Sequence, residues 1–356
     1  MATDTATGTS PPEFLTRMHI SHCIRCLRGL PSGAVEVDCL RMMVVYYSLS
    51  SLDLLSGLDA KISKDEKEDW VSWIWSQYIS DGQCAAFRGG PFLTGPSRTT
   101  PAQVSTSCDA EPLHILSTYT ALLSLAILRD DFSRLDRGRI ISFLKQTQLE
   151  DGSFEPWLGS QEGGDIRIIY GALAVCQMLN NWSGIDIQRT ISYVRACRAR
   201  DGGYGQTPYA EANGGATYCA IAALELASQP LQGKEREDTL TWLVHRQRGG
   251  FQGRAEKEQD ACYSFWCGAA ISLLGAADLV DRDSNAEFLM TCQFKLGGFA
   301  KAPGEFPDPL HTYLSMAALS IYPPSWGVPL SGLDPLMNVR TETGAWLQEK
   351  LSLSKP

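Results

Sequence analysis

The densest chemistry in the sequence lies in the stretch R-A-E-K-E-Q-D-A-C-Y-S-F-W, which begins at Arg254. Lys257 and Asp260 follow at three-residue spacing, and Cys262 and Tyr263 come directly behind them. Carboxylate and thiolate groups are zinc ligands, while arginine and lysine bind a phosphate or diphosphate as a fork and a point charge. The stretch therefore indicates a metal and an anion held side by side. An ordinary capped helix behind a solvated charge run is the competing interpretation.

A third metal ligand comes from a distant segment. His311 opens the apolar segment H-T-Y-L-S-M-A-A-L, just as Cys262 opens C-Y-S-F-W-C-G-A-A. If both segments are adjacent helices of a ring, their N-terminal ends meet at one mouth. Asp260, Cys262 and His311 then predict a zinc site with three protein ligands and an open fourth position, which is typical of catalytic zinc. From spacing alone, a helix cap by Asp260 and two core residues explain the pattern equally well.

A second group of metal-ligand residue types lies in H-I-S-H-C-I-R-C near the N-terminus. His19, His22, Cys23 and Cys26 share one face of a helix at this spacing. They extend over roughly 10 Å of helix rise, so four ligands in a row cannot surround a tetrahedral ion. We interpret the segment as an amphipathic helix that packs its histidines and cysteines inward.

A turn with glycine and an aromatic residue recurs along the chain as DGSF, DGGYG, RGGFQG and LGGFA. The aromatic positions Phe154, Tyr204, Phe251 and Phe299 are separated by 50, 47 and 48 residues. A period of this length belongs to repeated supersecondary units. It also suits a chain of 356 residues, which exceeds the usual limit of roughly 250 to 300 residues for a single core.

Each turn is preceded by a helix-periodic segment and followed by a helix rich in alanine, cysteine and aromatic residues, such as TYCAIAALEL. Two earlier units, from Met42 and from His114, fit the pattern less well. The sequence therefore predicts an all-α fold of six helical hairpins, with the small-residue helices inside. The aromatic inner helices favour closure into an α/α toroid, an α6-α6 barrel around a central aromatic funnel, over an open solenoid.

Charge and cysteine usage exclude several classes of protein. The net charge of −9 disfavours a nucleic-acid partner, and no stretch of 18 apolar residues predicts a membrane span. Eleven cysteines without a disulfide framework suit a reducing compartment, so we expect a cytoplasmic protein. Residues 1–13 are predicted to form a disordered N-terminal tail, and residues 14–356 a single domain that includes a C-terminal extension.

The chain resembles the β subunits of protein prenyltransferases, most closely type I protein geranylgeranyltransferase, over nearly its whole length. GDIRIIY, NNWSGIDI, GGATYCAIAAL, GGFQGR, GGFAK and PDPLHTY stand in the order and spacing of that family. The pattern D-x-C-Y-S-F-W with a later D-x-L-H is the specific part of the signal. The resemblance implies a heterodimer with a helical α subunit that transfers a C20 geranylgeranyl group from geranylgeranyl diphosphate. The acceptor implied is the cysteine of C-terminal CaaX proteins, mostly ending in leucine, such as Rho-type small GTPases.

The resemblance also implies roles for residues of this chain. Asp260, Cys262 and His311 would bind one zinc ion, and Asn213 stands where the family places a histidine that touches the diphosphate. The residues implied to hold the diphosphate and stabilise its departure are Arg254, Lys257, Tyr263 and Lys301. Those implied to line or border the isoprenoid pocket are Met43, Tyr119, Arg167, Tyr170, Cys219 and Trp266. Ordinary packing of the inner ring is the alternative for the aromatic residues among them.

Two positions bear on the choice of donor. Met43 replaces the bulky tryptophan of farnesyltransferases, which leaves room for a C20 chain. Lys301 replaces the carboxylate with which farnesyltransferases hold magnesium, so a magnesium requirement is not expected. The β subunits of farnesyltransferase and of Rab geranylgeranyltransferase are the alternatives within the family.

Two other classes of protein share features of this sequence. A terpene cyclase would need an acidic cluster such as D-D-x-x-D, which the adjacent Asp130 and Asp131 do not begin. A non-catalytic toroid that serves as a binding module would need no metal, so the zinc content of the purified protein separates it from a transferase.

Overall fold

The computed structural model describes residues 12–31, 35–90 and 112–353, and this part of the chain is mainly helical. Its α-helices are α1 Thr16–Arg28, α2 Arg41–Leu54, α3 Leu58–Lys61, α4 Lys64–Ser76, α5 Ile115–Ile127, α6 Arg137–Thr147, α7 Ile166–Leu179, α8 Ile187–Ala196, α9 Gly214–Leu226, α10 Gly233–Val244, α11 Ala261–Leu273, α12 Arg282–Cys292, α13 Pro309–Ile321 and α14 Thr341–Leu353. The strands pair as three antiparallel ribbons, β1 Tyr78–Ser80 with β2 Ala85–Phe87, β3 Gln247–Arg248 with β4 Gly250–Phe251, and β5 Leu333–Asp334 with β6 Val339–Arg340.

The inner ring consists of α2, α5, α7, α9, α11 and α13 within the described residues. Each of these helices packs against the next, and α13 packs against α2, so the ring is closed. The inner helices are apolar on nearly every side, as in α9, where eleven of the thirteen residues are buried. A helix that is hydrophobic all round must be enclosed by other elements. The predicted closure into an all-α toroid is therefore confirmed.

Each inner helix is preceded by an outer helix, in the order α1, α4, α6, α8, α10 and α12. Several outer helices begin at an aspartate whose side chain accepts a hydrogen bond from the first turn: Asp136 on α6, Asp186 on α8 and Asp281 on α12. Because the outer helices bury only one face, their sequences keep the polar residues that the repeat pattern showed. The six predicted hairpins are present.

The recurring glycine turns join neighbouring hairpins. The aromatic residue of each turn is fully buried, and the glycines lie where the next outer helix passes. Gly152 has φ 92°, and a Cβ there would lie 2.3 Å from the backbone of Arg189 on α8. Gly297 has φ 90°, and a Cβ there would lie 2.0 Å from the carbonyl oxygen of Met18 on α1. Only glycine fits both conditions, and the last turn thereby closes the outer ring against the first helix.

Both ends of the described part of the chain pack against the ring of hairpins. Residues 1–11 of the predicted disordered tail lie outside the described residues, while the carbonyl of Glu13 accepts a 2.9 Å hydrogen bond from the Gln293 side chain. After the sixth hairpin, β5 and β6 form the C-terminal hairpin, residues 333–340, and α14 packs against α5 and α7. In the described part of the chain, no helix has the length and apolarity needed to cross a bilayer.

Candidate active site

The N-termini of the inner helices lie at one end of the toroid, here called the mouth. Outer and inner helices alternate in direction, so the inner helices run parallel to one another. Five of them begin at a residue whose side chain accepts a hydrogen bond from a backbone N–H of the first turn: His114, Asp165, Asn213, Asp260 and Asp308. Helix N-termini gathered in this way favour the binding of anions.

Three of the predicted metal ligands meet at the mouth. Asp260 and Cys262 at the start of α11 and His311 at the start of α13 each direct a ligand atom to one point, and these atoms lie within 4.8 Å of one another. The Nε2 atom of His311 lies 3.4 Å from Oδ1 of Asp260. Asp260 also caps α11, because its Oδ1 accepts a 3.0 Å hydrogen bond from the N–H of Cys262. The capping role and the ligand role thus coexist in one carboxylate.

Asp308 orients the imidazole of His311. Its Oδ2 lies 2.5 Å from Nδ1 of His311, and its Oδ1 accepts a 2.9 Å hydrogen bond from the backbone N–H of the same histidine. A proton on Nδ1 is therefore directed at the carboxylate, which leaves Nε2 toward Asp260 and Cys262. A carboxylate behind a ligating histidine is the usual way in which a protein fixes both the ring and its tautomer.

The charges of the metal-free cluster follow from its burial and its neighbours. Burial lowers the pKa of His311, but hydrogen bonds to Asp260 and Asp308 outweigh it and raise that pKa to about 9. Burial raises the pKa of Asp260, yet its hydrogen bonds from His311 and Cys262 bring it below the usual value. Burial, with the nearby carboxylate of Asp260, raises the pKa of the Cys262 thiol well above its usual value. His311 is therefore protonated at neutral pH in this cluster, and its positive charge faces the carboxylates of Asp260 and Asp308.

The histidines and cysteines of α1 form no such cluster. His19, His22 and Cys23 are buried, and Cys26 lies 3.7 Å from Nε2 of His22. His19 accepts a 2.9 Å hydrogen bond from the N–H of Gly298 at Nδ1, so its Nε2–H donates to Gln293 at 2.8 Å. Among the described residues, the one group of three or more potential ligands close enough for a metal is that of Asp260, Cys262 and His311.

The residues predicted to hold a diphosphate lie in the first turn of α11, on the loop before it and on a loop that contacts its start. Arg254 and Lys257 are exposed on the loop before α11, and Nη1 of Arg254 lies 2.7 Å from Oε2 of Glu211. Burial, followed by the charges of nearby Cys262 and Asp260, raises the pKa of Tyr263 to about 12, so its hydroxyl remains a donor at neutral pH. The Lys301 carbonyl accepts a 2.9 Å hydrogen bond from the N–H of Ala261, which places this exposed lysine at the start of α11.

Two further predicted residues lie at the N-termini of neighbouring helices. Asn213 caps α9 through a 2.9 Å hydrogen bond from Ala216 N–H to its Oδ1. The adjacent Gly214 donates to the carbonyl of Gly253, so α9 and the Arg254 loop are in direct contact. Arg167 is exposed at the start of α7 and pairs with Asp165 at 2.5 Å.

An apolar cavity of about 850 Å³ opens beside the metal cluster. Asp308 and Leu310 border it on one side, Met43 and Tyr47 of α2 on a second, and His22 of α1 on a third. Burial raises the pKa of Tyr47. Met43 therefore lies at a cavity wall, and its contact with the donor stays a prediction.

The remaining predicted pocket residues lie deeper in the ring. Tyr119, Tyr170 and Cys219 are buried, whereas Trp266 is partly exposed. The Tyr119 and Tyr170 hydroxyls lie 3.2 Å apart, and the Trp266 ring lies 5.3 Å from that of Tyr218. These aromatic rings form the continuous inner wall that the predicted funnel requires. Their contact with an isoprenoid stays a prediction.

A sequence model of the prenyltransferase alpha-alpha toroid domain matches residues 14–339. The chain belongs to the prenyltransferase family. It is 34% identical over 329 residues to the geranylgeranyl transferase type-1 subunit beta of Arabidopsis thaliana, covering 87% of this chain and 85% of the relative. It is 36% identical over 313 residues to the corresponding subunit of Dictyostelium discoideum, covering 83% of this chain and 87% of the relative.

A solved structure agrees with these relatives. The Candida albicans protein geranylgeranyltransferase-I complexed with GGPP superimposes with a TM-score of 0.84 at 27% identity, covering 95% of this prenyltransferase and 99% of that chain. The resemblance to the prenyltransferase β subunits that the sequence motifs indicated is thereby confirmed, as is the assignment to a prenyltransferase enzyme.

Sequence reasoning missed several residues of this prenyltransferase site. Asp308 and Asp165 precede inner helices in the same way as Asp260, and that repeated capping position was the available signal. Glu211 pairs with Arg254 across two loops, for which the sequence offers no signal. Tyr47 lines the cavity next to Met43, and its neighbour Tyr46 faces another part of the ring.

Proposed function

We propose that this chain is the catalytic β subunit of a zinc-dependent type I protein geranylgeranyltransferase. It would transfer a C20 geranylgeranyl group from geranylgeranyl diphosphate to the cysteine of C-terminal CaaX proteins, mostly those ending in leucine, such as Rho-type small GTPases. The observation that carries the proposal is the convergence of Asp260, Cys262 and His311 at the mouth of a toroid similar to the geranylgeranyltransferase of Candida albicans.

The donor set fits zinc. Asp260, Cys262 and His311 offer one carboxylate oxygen, one sulfur and one imidazole nitrogen, all of them ligand types that zinc takes, and Asp308 stands behind His311 as an orienting carboxylate. Asp260, Cys262 and His311 would hold the ion, which would supply a Lewis acid that lowers the pKa of a cysteine thiol brought to the mouth. Cys262 is buried, and the side chains of Asp260 and His311 are each 15% exposed, so the charge interactions between them are stronger than in bulk water.

The residues of the mouth would stabilise the leaving group. As the thiolate forms its bond to C1 of the donor, the C1–O bond breaks and its electron pair leaves with the diphosphate. Lys301 and Tyr263 lie at the start of α11, where the helix N-terminus adds to their attraction for the developing charge. Arg254 and Lys257 would bind the diphosphate from the exposed loop. Arg254 would then exchange its ion pair with Glu211 for one with the diphosphate.

The C20 donor is favoured by Met43, whose flexible side chain borders the cavity where farnesyltransferases carry tryptophan. Lys301 would supply the charge that a magnesium ion supplies in farnesyltransferases, so no magnesium is needed. The pocket residues Tyr119, Arg167, Tyr170, Cys219 and Trp266, together with Asn213 at the diphosphate, complete this assignment of roles.

The proposed enzyme is a heterodimer with a prenyltransferase α subunit, since the relatives are named as subunits. Cys176, Cys219 and Cys267 of the inner helices are free thiols, in keeping with the cytoplasmic location proposed for the enzyme.

To test the proposed function, the full chain is purified together with the α subunit from the same organism. We expect one zinc per β subunit, and transfer without added magnesium. In competition, the C20 donor should be preferred to the C15 donor, on peptides that end in leucine. Preference for the C15 donor would assign a farnesyltransferase instead, and activity confined to Rab proteins would assign a Rab geranylgeranyltransferase. Absence of zinc and of transfer in the purified heterodimer would refute the proposal.

A further inference from the structure

The tip of the C-terminal hairpin is held by tyrosine hydroxyls of the inner ring. Tyr218 on α9 donates to the carbonyl of Pro335 at 2.8 Å, and Tyr170 on α7 donates to Leu336 at 2.9 Å. The pattern continues around the ring: Tyr119 on α5 donates to Met337 at 3.0 Å, and Tyr46 on α2 and Tyr313 on α13 both donate to Asn338. All four carbonyls of the tip, residues 335–338, thereby find partners away from water, which a buried turn requires.

These tyrosines share one level of the toroid. In α5, α7, α9 and α13 the tyrosine is the fifth residue of the helix, and the fifth residue of α11 is Phe265. Burial raises the pKa of Tyr46 and Tyr313 well above the usual value, so both hydroxyls stay protonated and able to donate. A buried hydroxyl left without its partner is costly, which makes each of these bonds a constraint on the helix that carries it.

Asn338 lies where the ring closes. It accepts from Tyr46 on the first inner helix and from Tyr313 on the last, and Tyr313 also donates to its side-chain Oδ1 at 3.0 Å. The residue is 4% exposed and has φ 55°, a conformation that asparagine tolerates better than most residues. The base of the hairpin is fixed to α2 independently, because Arg340 donates to the carbonyl of Asp53 at 3.1 Å.

Tyr313 and the metal ligand His311 lie two residues apart on α13. On a helix this spacing corresponds to a rotation of about 200° and a rise of about 3 Å, so the two side chains restrain α13 from different sides. A rotation or shift of α13 that carried the imidazole away from Asp260 would also break the hydrogen bonds of Tyr313 to Asn338.

We propose that Asn338 is a positioning residue for the metal centre: through Tyr313 it fixes α13, and with it the imidazole of His311, relative to α11. The inference rests on the proposed function in taking the cluster of Asp260, Cys262 and His311 as the metal site. Small displacements of a ligand lower metal affinity, because the ligand geometry must be held closely. The tyrosine of α9 provides the contrast, since Tyr218 binds the same hairpin from a helix that carries none of the three ligands.

The test uses the full chain with its α subunit and compares three variants. Asn338→Gly keeps the backbone conformation and the carbonyl but removes Oδ1. Tyr313→Phe removes the hydroxyl from the other side, and Tyr218→Phe is the matched control. Affinity for Co²⁺, competition by Zn²⁺ and the visible spectrum of the Co²⁺ protein report the ligand geometry, and chemical unfolding reports stability.

We expect Asn338→Gly and Tyr313→Phe to weaken Co²⁺ binding about five- to tenfold and to alter the Co²⁺ spectrum. Tyr218→Phe should lose similar stability while keeping the wild-type affinity and spectrum. Equal loss of affinity in all three variants, or no loss in any, would overturn the inference.

Hydrogen exchange tests the positioning role of Asn338 independently of the proposed function. If the wild-type heterodimer bound no metal, the proposed function would fail. The exchange rates of the amides of residues 311–316 would still show whether the hydrogen bonds of Tyr313 to Asn338 restrain α13. Faster exchange there in Asn338→Gly and Tyr313→Phe than in Tyr218→Phe supports the positioning role. Equal exchange in the three variants rejects it.

Discussion

His19 and His22 on α1 and His311 on α13 are all largely buried imidazoles, but their neighbours shift the pKa in opposite directions. Burial lowers the pKa of His19 and of His22 to about 4. For His311, two carboxylates outweigh the same burial and raise the pKa to about 9. The charge of each of these imidazoles therefore depends on the number of carboxylates that face the ring, because burial alone lowers the pKa of all three.

The two regions also differ in how the chain presents its ligand types. On α1 the histidines and cysteines come from one helix, and the ring nitrogens of His19 are taken up by Gln293 and Gly298. At the mouth, Asp260 and Cys262 come from one helix and His311 from the next. Two helix ends can surround a point, whereas one helix face cannot, so only the second region can form a tetrahedral site.

The largest expected difference between the two regions appears when potential metal ligands are removed from each of them in turn. His311→Ala and Cys262→Ser should reduce the metal content from one per chain to nearly none. Transfer should fall by more than the roughly 100-fold that loss of an outer partner can cause. Cys26→Ser on α1 is the control and should retain both metal and activity. Metal analysis and transfer assays check this, and metal loss from the α1 variant alone would reverse our assignment of the two regions.

The α1 region should contribute strongly to the loss of stability in acid, together with His114 at the start of α5, whose pKa burial also lowers to about 4. His19 and His22 have a pKa near 4 in the folded protein and about 6.5 when unfolded. Their contribution is therefore complete above pH 6.5 and is lost as the pH falls toward 4. At 1.36 kcal/mol per pKa unit, each contributes up to about 3 kcal/mol.

His19→Gln should accordingly flatten the decline in unfolding free energy between pH 6.5 and pH 4. His245→Gln, at an exposed histidine, serves as the control and should leave the decline unchanged. Urea unfolding of the metal-free protein across this pH range is the measurement. A decline as steep in His19→Gln as in the wild type would contradict the pKa assigned to the buried ring.

At the mouth, the carboxylate behind His311 can be neutralised without losing the helix cap. Asp308→Asn keeps a side-chain oxygen for capping α13 but removes the charge that faces Nδ1. We expect metal affinity to fall about 10- to 100-fold, as measured by competition with a chelator. Asp281→Asn changes the equivalent cap of α12 and should not alter metal affinity; a similar fall there would assign the effect to capping.

The smallest expected effect concerns the cavity between the two regions. Met43→Trp should fill part of the cavity that His22 and Asp308 also border and shift the preference toward the C15 donor by about tenfold, in the range that small differences in chain length produce. Met18→Trp, at a methionine that is 45% exposed, is the control. Competition between labelled C15 and C20 diphosphates measures the shift. An unchanged ratio would show that the side chain of Met43 does not limit the length of the bound donor.

Much of the fold could be predicted because its signals are local and repeated. The glycine turns fall at a regular period since each must pass beside the next outer helix, as Gly152 and Gly297 do. The small residues of α9 and its counterparts follow from enclosure on all sides. The grouping of Asp260, Cys262 and His311 was predictable as well, because the first turns of neighbouring inner helices, which carry Cys262 and His311, lie at the same end of the ring.

Interactions with the backbone were not predictable in this way. The tyrosines at the fifth position of the inner helices are visible in the sequence, but the carbonyls of Pro335 and Leu336 that they bind carry no side-chain signature. The pairing of Arg254 with Glu211 likewise depends on how two loops approach each other. Such contacts arise only when the chain has folded, and no pattern of residues in the sequence indicates them.

The C-terminal hairpin has a consequence for the order in which this protein is made. Tyr46 and Asn338 are 292 positions apart in the chain, so the first inner helix leaves the ribosome long before its partner has been synthesised. Contacts of such large sequence separation form late and slow the folding of a chain. Until then the tyrosine hydroxyls of the inner helices lack the carbonyls that bind them, so the ring reaches its final packing only when the last part of the chain has been made.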